Sequence, residues 1–134
     1  PPPPARRHRV PRGRSAAGCV MLAVVFEVTP LPGRAPRYFE LAAELRPVLE
    51  RIDGFVSVER FESLTRPGVF LSLSWWRDEA AIAVWRQTAC HRDGQREGRE
   101  VVFSDYRIRV LSVMRDYGFH DRAQAPADSN QFLL

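Results

Sequence analysis

Residues 55–76 read FVSVERFESLTRPGVFLSLSWW, and their pattern decides the fold. From Phe55 to Glu62 apolar residues (Phe55, Val56, Val58, Phe61) alternate with polar ones (Ser57, Glu59, Arg60, Glu62), which predicts a strand with one wetter face. Thr65-Arg66-Pro67-Gly68 has turn chemistry. Val69–Trp76 then reads as a second strand, so the pair forms a hairpin.

Upstream, residues 21–28 (MLAVVFEV) are apolar and β-branched with a single charge near the end, the composition of a strand buried on both faces. Pro30, Pro32 and Gly33 stop it. From Ala35 to Ile52 the apolar residues Tyr38, Leu41, Ala42, Leu45, Val48, Leu49 and Ile52 follow helical spacing. Pro47 falls inside that pattern and predicts a kink near residues 43–47. Downstream, Asp78 is placed to cap a helix, with Glu79 favourable in its first turn. Ala81, Val84, Trp85, Thr88 and His91 are read along one face of it, and the helix is expected to fade through Gly94–Gly98. Residues 101–114 hold the last strand, strongest at Tyr106–Val113.

The order β-α-β-β-α-β is the split βαβ arrangement. The expected fold class is α+β, ferredoxin-like, a four-stranded antiparallel sheet with two helices on one face. Residues 21–28 and 69–76 are apolar at both parities, so the uncovered face also needs a partner. A second copy packed sheet to sheet is the economical solution.

The chain carries sixteen acidic and twenty basic residues, every one of the latter Arg, and a formal net charge of +4. Exclusive use of Arg, with much Ala, Gly and Pro, has the look of a G+C-rich coding bias. Arg6, Arg7, Arg9, Arg12 and Arg14 lie in the first twenty residues, which contain no acid. The remainder is therefore close to neutral, and the basic face that a nucleic-acid binder needs is missing from it. Residues 1–20 are read as a disordered Pro/Arg-rich arm, consistent with a start assigned upstream of Met21. Residues 21–117 are the domain and residues 118–134 a polar tail. Glu27 interrupts the apolar run that a signal peptide would need, and no stretch reaches the ~20 apolar residues of a membrane span. Cys19 and Cys90 are too few for a disulfide framework. Free thiols and a cytoplasmic location are expected.

Trp76-Arg77-Asp78-Glu79-Ala80-Ala81-Ile82-Ala83-Val84-Trp85, then Cys90-His91-Arg92 and Gly98-Arg99, resemble the antibiotic biosynthesis monooxygenase family, a branch of the dimeric α+β barrels. The shared pattern is a strand ending in Trp, an acidic Ala-rich helix start and an inward Trp. A His follows six residues later, with Gly-Arg ahead of the last strand. Asp105-Tyr106-Arg107-Ile108-Arg109-Val110 and Arg115-Asp116-Tyr117-Gly118 fit it too, so the likeness spans about residues 21–122. It implies a barrel-like homodimer with a small pocket between sheet and helices in each subunit. It also implies oxygenation of a small phenol- or quinol-type aromatic by O₂ without metal or organic cofactor. A non-catalytic dimeric binding or stress-related protein on the same scaffold is the alternative.

Such chemistry asks for an apolar pocket, a proton acceptor and a donor for developing negative charge. His91 is the natural proton acceptor, with a helix-terminal, partly exposed His as the other reading. Glu27 is a carboxylate inside an apolar strand. Burial would raise its pKa and make it a base, whereas pairing with an Arg such as Arg109 would make it structural. Trp76 and Trp85 are candidate aromatic walls, or simply core. Arg109, which shares a strand face with Arg107, is a candidate partner for an anionic substrate. Cys90 next to His91 does not make a nucleophile–base pair, because adjacent helical residues point about 100° apart. The superfamily's haem-degrading branch uses a strand Asn and a His ten residues after the helical Trp. Here Gln95 stands at that position and the first strand has no Asn, so haem is disfavoured.

Overall fold

A computed structural model describes residues 21–133. The arm of residues 1–20 with Cys19, the terminal Leu134 and the side chain of Cys90 lie outside the described part. Nine elements follow in order: β1 (Leu22–Pro30), α1 (Ala35–Leu49), β2 (Phe55–Glu62), β3 (Phe70–Trp76), α2 (Glu79–Gln87), α3 (Ala89–Glu97), a π-helical turn (Gly98–Val102), β4 (Phe103–Ser112) and α4 (Ala127–Phe132). The sheet order is β2-β3-β1-β4 with every neighbouring pair antiparallel. This is the α+β, ferredoxin-like arrangement expected. The stretch expected to be a polar tail contains the short α4.

Local chemistry sets the boundaries. Asp78 caps α2 by accepting the Ala81 N–H at 2.9 Å, which satisfies one of the otherwise orphaned first-turn donors. Arg77 donates to Asp53 at 3.0 and 3.2 Å and its N–H bonds the Gly54 carbonyl at 2.7 Å, tying the end of β3 to the start of β2. Gly54 is required there. Its φ is +95°, and a Cβ would stand 2.7 Å from that of Ala81. Helix α1 stops at Leu49 rather than Ile52, two residues beyond Pro47, whose missing N–H removes a helical bond at the last turn. Arg51 and Ile52 then make tighter i→i+3 bonds to Val48 and Leu49.

Two departures from the expected pattern matter for the site. The single helix predicted after Asp78 is two helices, because Thr88 is extended (φ −66°, ψ 138°). Its hydroxyl donates to the Trp85 carbonyl at 2.7 Å, competing with helix continuation. The second is a β-bulge at the start of β2, where the register against β3 shifts between Phe55 and Ser57. The extra residue changes which parity faces the helices. Phe55 packs with the core, but so do Val58 and its neighbour in phase, Arg60.

Two clusters fill the space between sheet and helices. One gathers Leu49, Val58, Trp76, Ala81 and Ile82. The other gathers Val28, Tyr38, Leu41 and Val102, ringed by Phe26, Phe70, Phe103 and Tyr106. Gly98 is needed beside the second, since a Cβ there would lie 2.3 Å from the Phe103 ring. Arg37 of α1 donates to Glu97 at 2.6 and 2.8 Å, holding the end of α3 against α1. The opposite sheet face carries Phe61 (43% exposed) and Leu111 (46%), with Leu71, Leu73 and Trp75 half-buried.

Candidate functional site

Between the two clusters lies a cavity of about 240 Å³. The sheet contributes Val24 and Phe26 from β1, Val58 and Arg60 from β2, Ser72, Ser74 and Trp76 from β3, and Ile108 and Val110 from β4. Helix α1 adds Tyr38, Leu41, Ala42, Leu45 and Leu49, while α2 and α3 supply Ile82, Trp85, Arg86, His91, Gly94 and Gln95. The wall is therefore mainly aliphatic and aromatic, with a few polar groups, as small-molecule sites usually are. Ile108 and Val110 of the edge strand β4 line it yet remain 45% and 54% exposed.

His91 sits in the first turn of α3 and stacks on Trp85, ring centroids 4.4 Å apart and planes 23° from parallel. The break at Thr88 makes this possible. In an unbroken helix two residues six apart are separated by about 9 Å along the axis and point about 120° apart. The Nδ1 of His91 is buried without a hydrogen-bond partner. Burial pushes its pKa below the usual imidazole value, and the neighbouring Arg86 and Trp85 backbone opposes this only in part. The ring is thus biased toward the neutral form, which can accept a proton. Trp76 is 1% exposed, and its Nε1 donates to Ser74 Oγ at 2.9 Å. It both anchors the core and floors the cavity.

Of the residues expected to act together, His91, Trp85 and Trp76 meet at the cavity. Glu27 and Arg109 do not. Glu27 has the parity of Val25, not of Val24 and Phe26, so it projects from the outer face. There it pairs with Arg66 and, at 3.3 Å, with Arg109. Those two arginines, Arg66 first, hold its pKa below the ordinary carboxylate value. The reading of Glu27 as a buried, proton-accepting base is corrected accordingly, and pairing with Arg109 is what occurs. Arg109 fails as a cavity residue for the same reason, lying opposite Val25 across β1–β4.

Sequence reading missed Tyr38 and Arg60 as site residues. In the sequence Tyr38 reads as part of the apolar stripe of α1, and Arg60 as part of the wetter face of β2. Arg60 shares the parity of Val58, and the register shift of β2 against β3 is what turns that parity toward the cavity. Among the described residues no group of three His, Cys, Asp or Glu side chains is placed to hold a metal ion, and no helix is long and apolar enough to cross a membrane.

The sequence model of the antibiotic biosynthesis monooxygenases matches residues 21–97. The chain belongs to the antibiotic biosynthesis monooxygenase family. A curated member, the jasmonate monooxygenase ABM of Pyricularia oryzae, is 49% identical over 93 residues. That match takes in 69% of this chain and 43% of the relative, so the chain spans less than half of that protein's length. Solved structures agree on the fold. A Mycobacterium tuberculosis protein superposes with a TM-score of 0.65 at 17% identity, over 73% of this chain and 99% of its own. A Deinococcus radiodurans protein named for the same family gives 0.62 at 15%, over 74% and 97%.

Proposed function

We propose that this domain is a monooxygenase that draws a small, largely apolar, electron-rich substrate of phenol or quinol type into the cavity and oxidises it with O₂. The reading needs no resident metal or organic cofactor. One observation carries it: a neutral-leaning imidazole, His91, with a buried free nitrogen on the wall of an otherwise apolar cavity.

The chemistry follows from that group. His91 accepts a proton from the substrate's phenol or from a methylene activated by it. The resulting carbanion passes one electron to O₂, and the radical pair combines to form a C–O bond. Loss of water from the hydroperoxide converts CH₂ to C=O. One oxygen atom stays in the product, the other leaves as water, and all four electrons come from the substrate. The apolar wall keeps the carbanion from bulk water, and Trp85 and Trp76 give the ring a flat surface to lie against.

The working unit is proposed to be a homodimer. Phe61, Leu71, Leu73, Trp75 and Leu111 give the outer sheet face an apolar surface that a second copy would cover. Light scattering near the 15.3 kDa monomer mass would rule this out.

The test is O₂ consumption with anthrone- and quinol-type compounds under labelled O₂. Expected are uptake above the uncatalysed rate and one labelled oxygen per product molecule. No uptake by a folded wild-type protein across such a series sinks the reading. The 49% identical relative supports a second reading, in which the substrate is jasmonate itself. Insertion of oxygen into a C–H bond of a cyclopentanone acid needs two further electrons. That assay therefore supplies a nicotinamide or ascorbate reductant and looks for product heavier by one oxygen atom.

A further inference from the structure

Three buried side-chain polar atoms among the described residues lack a hydrogen-bond partner: the Tyr38 hydroxyl, Arg60 Nε and His91 Nδ1. All three residues line the same cavity. Native proteins rarely leave such groups unsatisfied, since each forfeits its bond to water. Their concentration around one cavity marks the place where a bound molecule supplies the partners.

The formal charge lining the cavity has one sign. Arg60, Arg86 and His91 line the cavity, and no Asp or Glu does. Arg37, Arg46, Arg66, Arg77 and Arg109 each pair with a carboxylate, while Arg60 has no such ion pair among the described residues. Its guanidinium stands over the Tyr38 ring, 5.8 Å from the centroid. Burial raises the pKa of the Tyr38 hydroxyl above its usual value, with Arg60 opposing only part of the effect. The phenol therefore stays neutral and keeps its proton to donate. A charged N–H and a neutral O–H side by side suit the two oxygens of a carboxylate.

We propose that Arg60, with the Tyr38 hydroxyl, anchors a carboxylate of the substrate, so that the cavity selects small apolar organic acids over neutral molecules of the same shape. This rests on the cavity being the active site. The acid group docks between β2 and the first turns of α1, and the apolar body extends along the wall that holds Trp85 and His91.

Calorimetric titration of the full chain with 1-naphthaleneacetic acid and with 1-naphthaleneacetamide tests it, because the two probes differ only in the charged group. Wild type is expected to bind the acid about tenfold or more tightly than the amide, as charge-assisted hydrogen bonds imply. Arg60→Met, which keeps the apolar stem, is expected to remove the preference. Arg60→Lys, which keeps the charge and loses Nε, should retain part of it. Equal binding of acid and amide by wild type overturns the proposal. So does a preference that survives Arg60→Met, or one that Arg86→Gln abolishes while Arg60→Met leaves it intact. Acid preference without O₂ consumption would leave the anchor standing and remove the monooxygenase reading. O₂ consumption without acid preference would do the reverse.

Discussion

The two faces of the sheet treat arginine in opposite ways. On the outer face Glu27 satisfies Arg66 and Arg109 together, and the group is a structural knot. On the helix-facing side Arg60 enters an apolar cavity with no carboxylate on its wall. Arg66 and Arg109 each have a carboxylate partner, whereas the Nε of Arg60 has no hydrogen-bond partner. An ion pair that closes upon itself reports on folding, whereas a buried donor left open reports on a ligand. The strand β2 decides which situation arises. Strict alternation from Phe55 would turn Ser57 and Glu59 toward the helices, giving the cavity a carboxylate. The bulge at Val56 turns Val58 and Arg60 inward instead. One extra residue thus sets the sign of the cavity's charge.

The largest expected effect separates the faces by activity. His91→Gln should lower turnover about 10²–10⁴-fold, the usual worth of a positioned general base, with the fold retained. Glu27→Gln should leave turnover near wild type, because its carboxylate stands on the far face. Steady-state O₂ uptake checks both, and an activity loss in Glu27→Gln comparable to that in His91→Gln would erase the distinction.

The adjacent tryptophans separate the faces by stability. Trp76 is 1% exposed on the cavity side, and Trp75 is half-buried on the outer side. Trp76→Ala should cost about 3–5 kcal/mol in urea-induced unfolding. Trp75→Ala should cost less in the monomer and act chiefly on self-association. Similar losses of unfolding free energy in the two variants would show that the faces are equally core-like.

Much of this fold is legible in the amino-acid order, because its elements have strong periodic signals. The apolar run of β1, the stripe from Tyr38 to Leu49 and the Asp78 cap each specify their element locally. What escapes is interruption of a period. Nothing in Trp85-Arg86-Gln87-Thr88 distinguishes a Thr in mid-helix from one whose hydroxyl takes the Trp85 carbonyl and ends the helix. The stacking of His91 on Trp85 depends on that event. The bulge at Val56 is equally silent, since Phe55, Val56 and Val58 are all apolar and fit either phase. Residue type within the family's pattern points to His91, Trp76 and Trp85. Arg60 required knowing which way β2 faces, which is a property of its pairing with β3.

Deleting Val56 attacks the bulge directly. With an unbroken ladder either Phe55 leaves the core or Val58 and Arg60 turn outward, because a one-residue slip moves side chains to the opposite face. Loss of one buried apolar side chain sets the expected destabilisation at about 2 kcal/mol, read by thermal or urea unfolding. A deletion variant that keeps wild-type stability would mean the bulge is a passive irregularity.

The smallest effect lies in pH, and its sign differs in position rather than in direction between the two faces. The folded pKa of His91 lies below its reference value of 6.5. Its contribution is present above pH 6.5 and is lost as pH falls through the folded value, since the unfolded chain takes up the proton first. Glu27 is also depressed, from 4.5, so its contribution is present above pH 4.5 and is lost further into acid, alongside those of Asp78 and Glu97, which are lowered too. The unfolding midpoint of wild type should therefore fall in two windows as pH drops. His91→Gln should flatten the first, between pH 6.5 and the lower folded value of the imidazole, and leave the second. Glu27→Gln should leave the first and reduce the second only in part, because Asp78 and Glu97 still titrate there. A steeper upper window in Glu27→Gln would place that carboxylate in a buried environment, because a carboxylate of raised pKa gains stability as pH falls and so offsets the loss at His91, and the contrast between a closed ion pair outside and an open site inside would fail at its outer half.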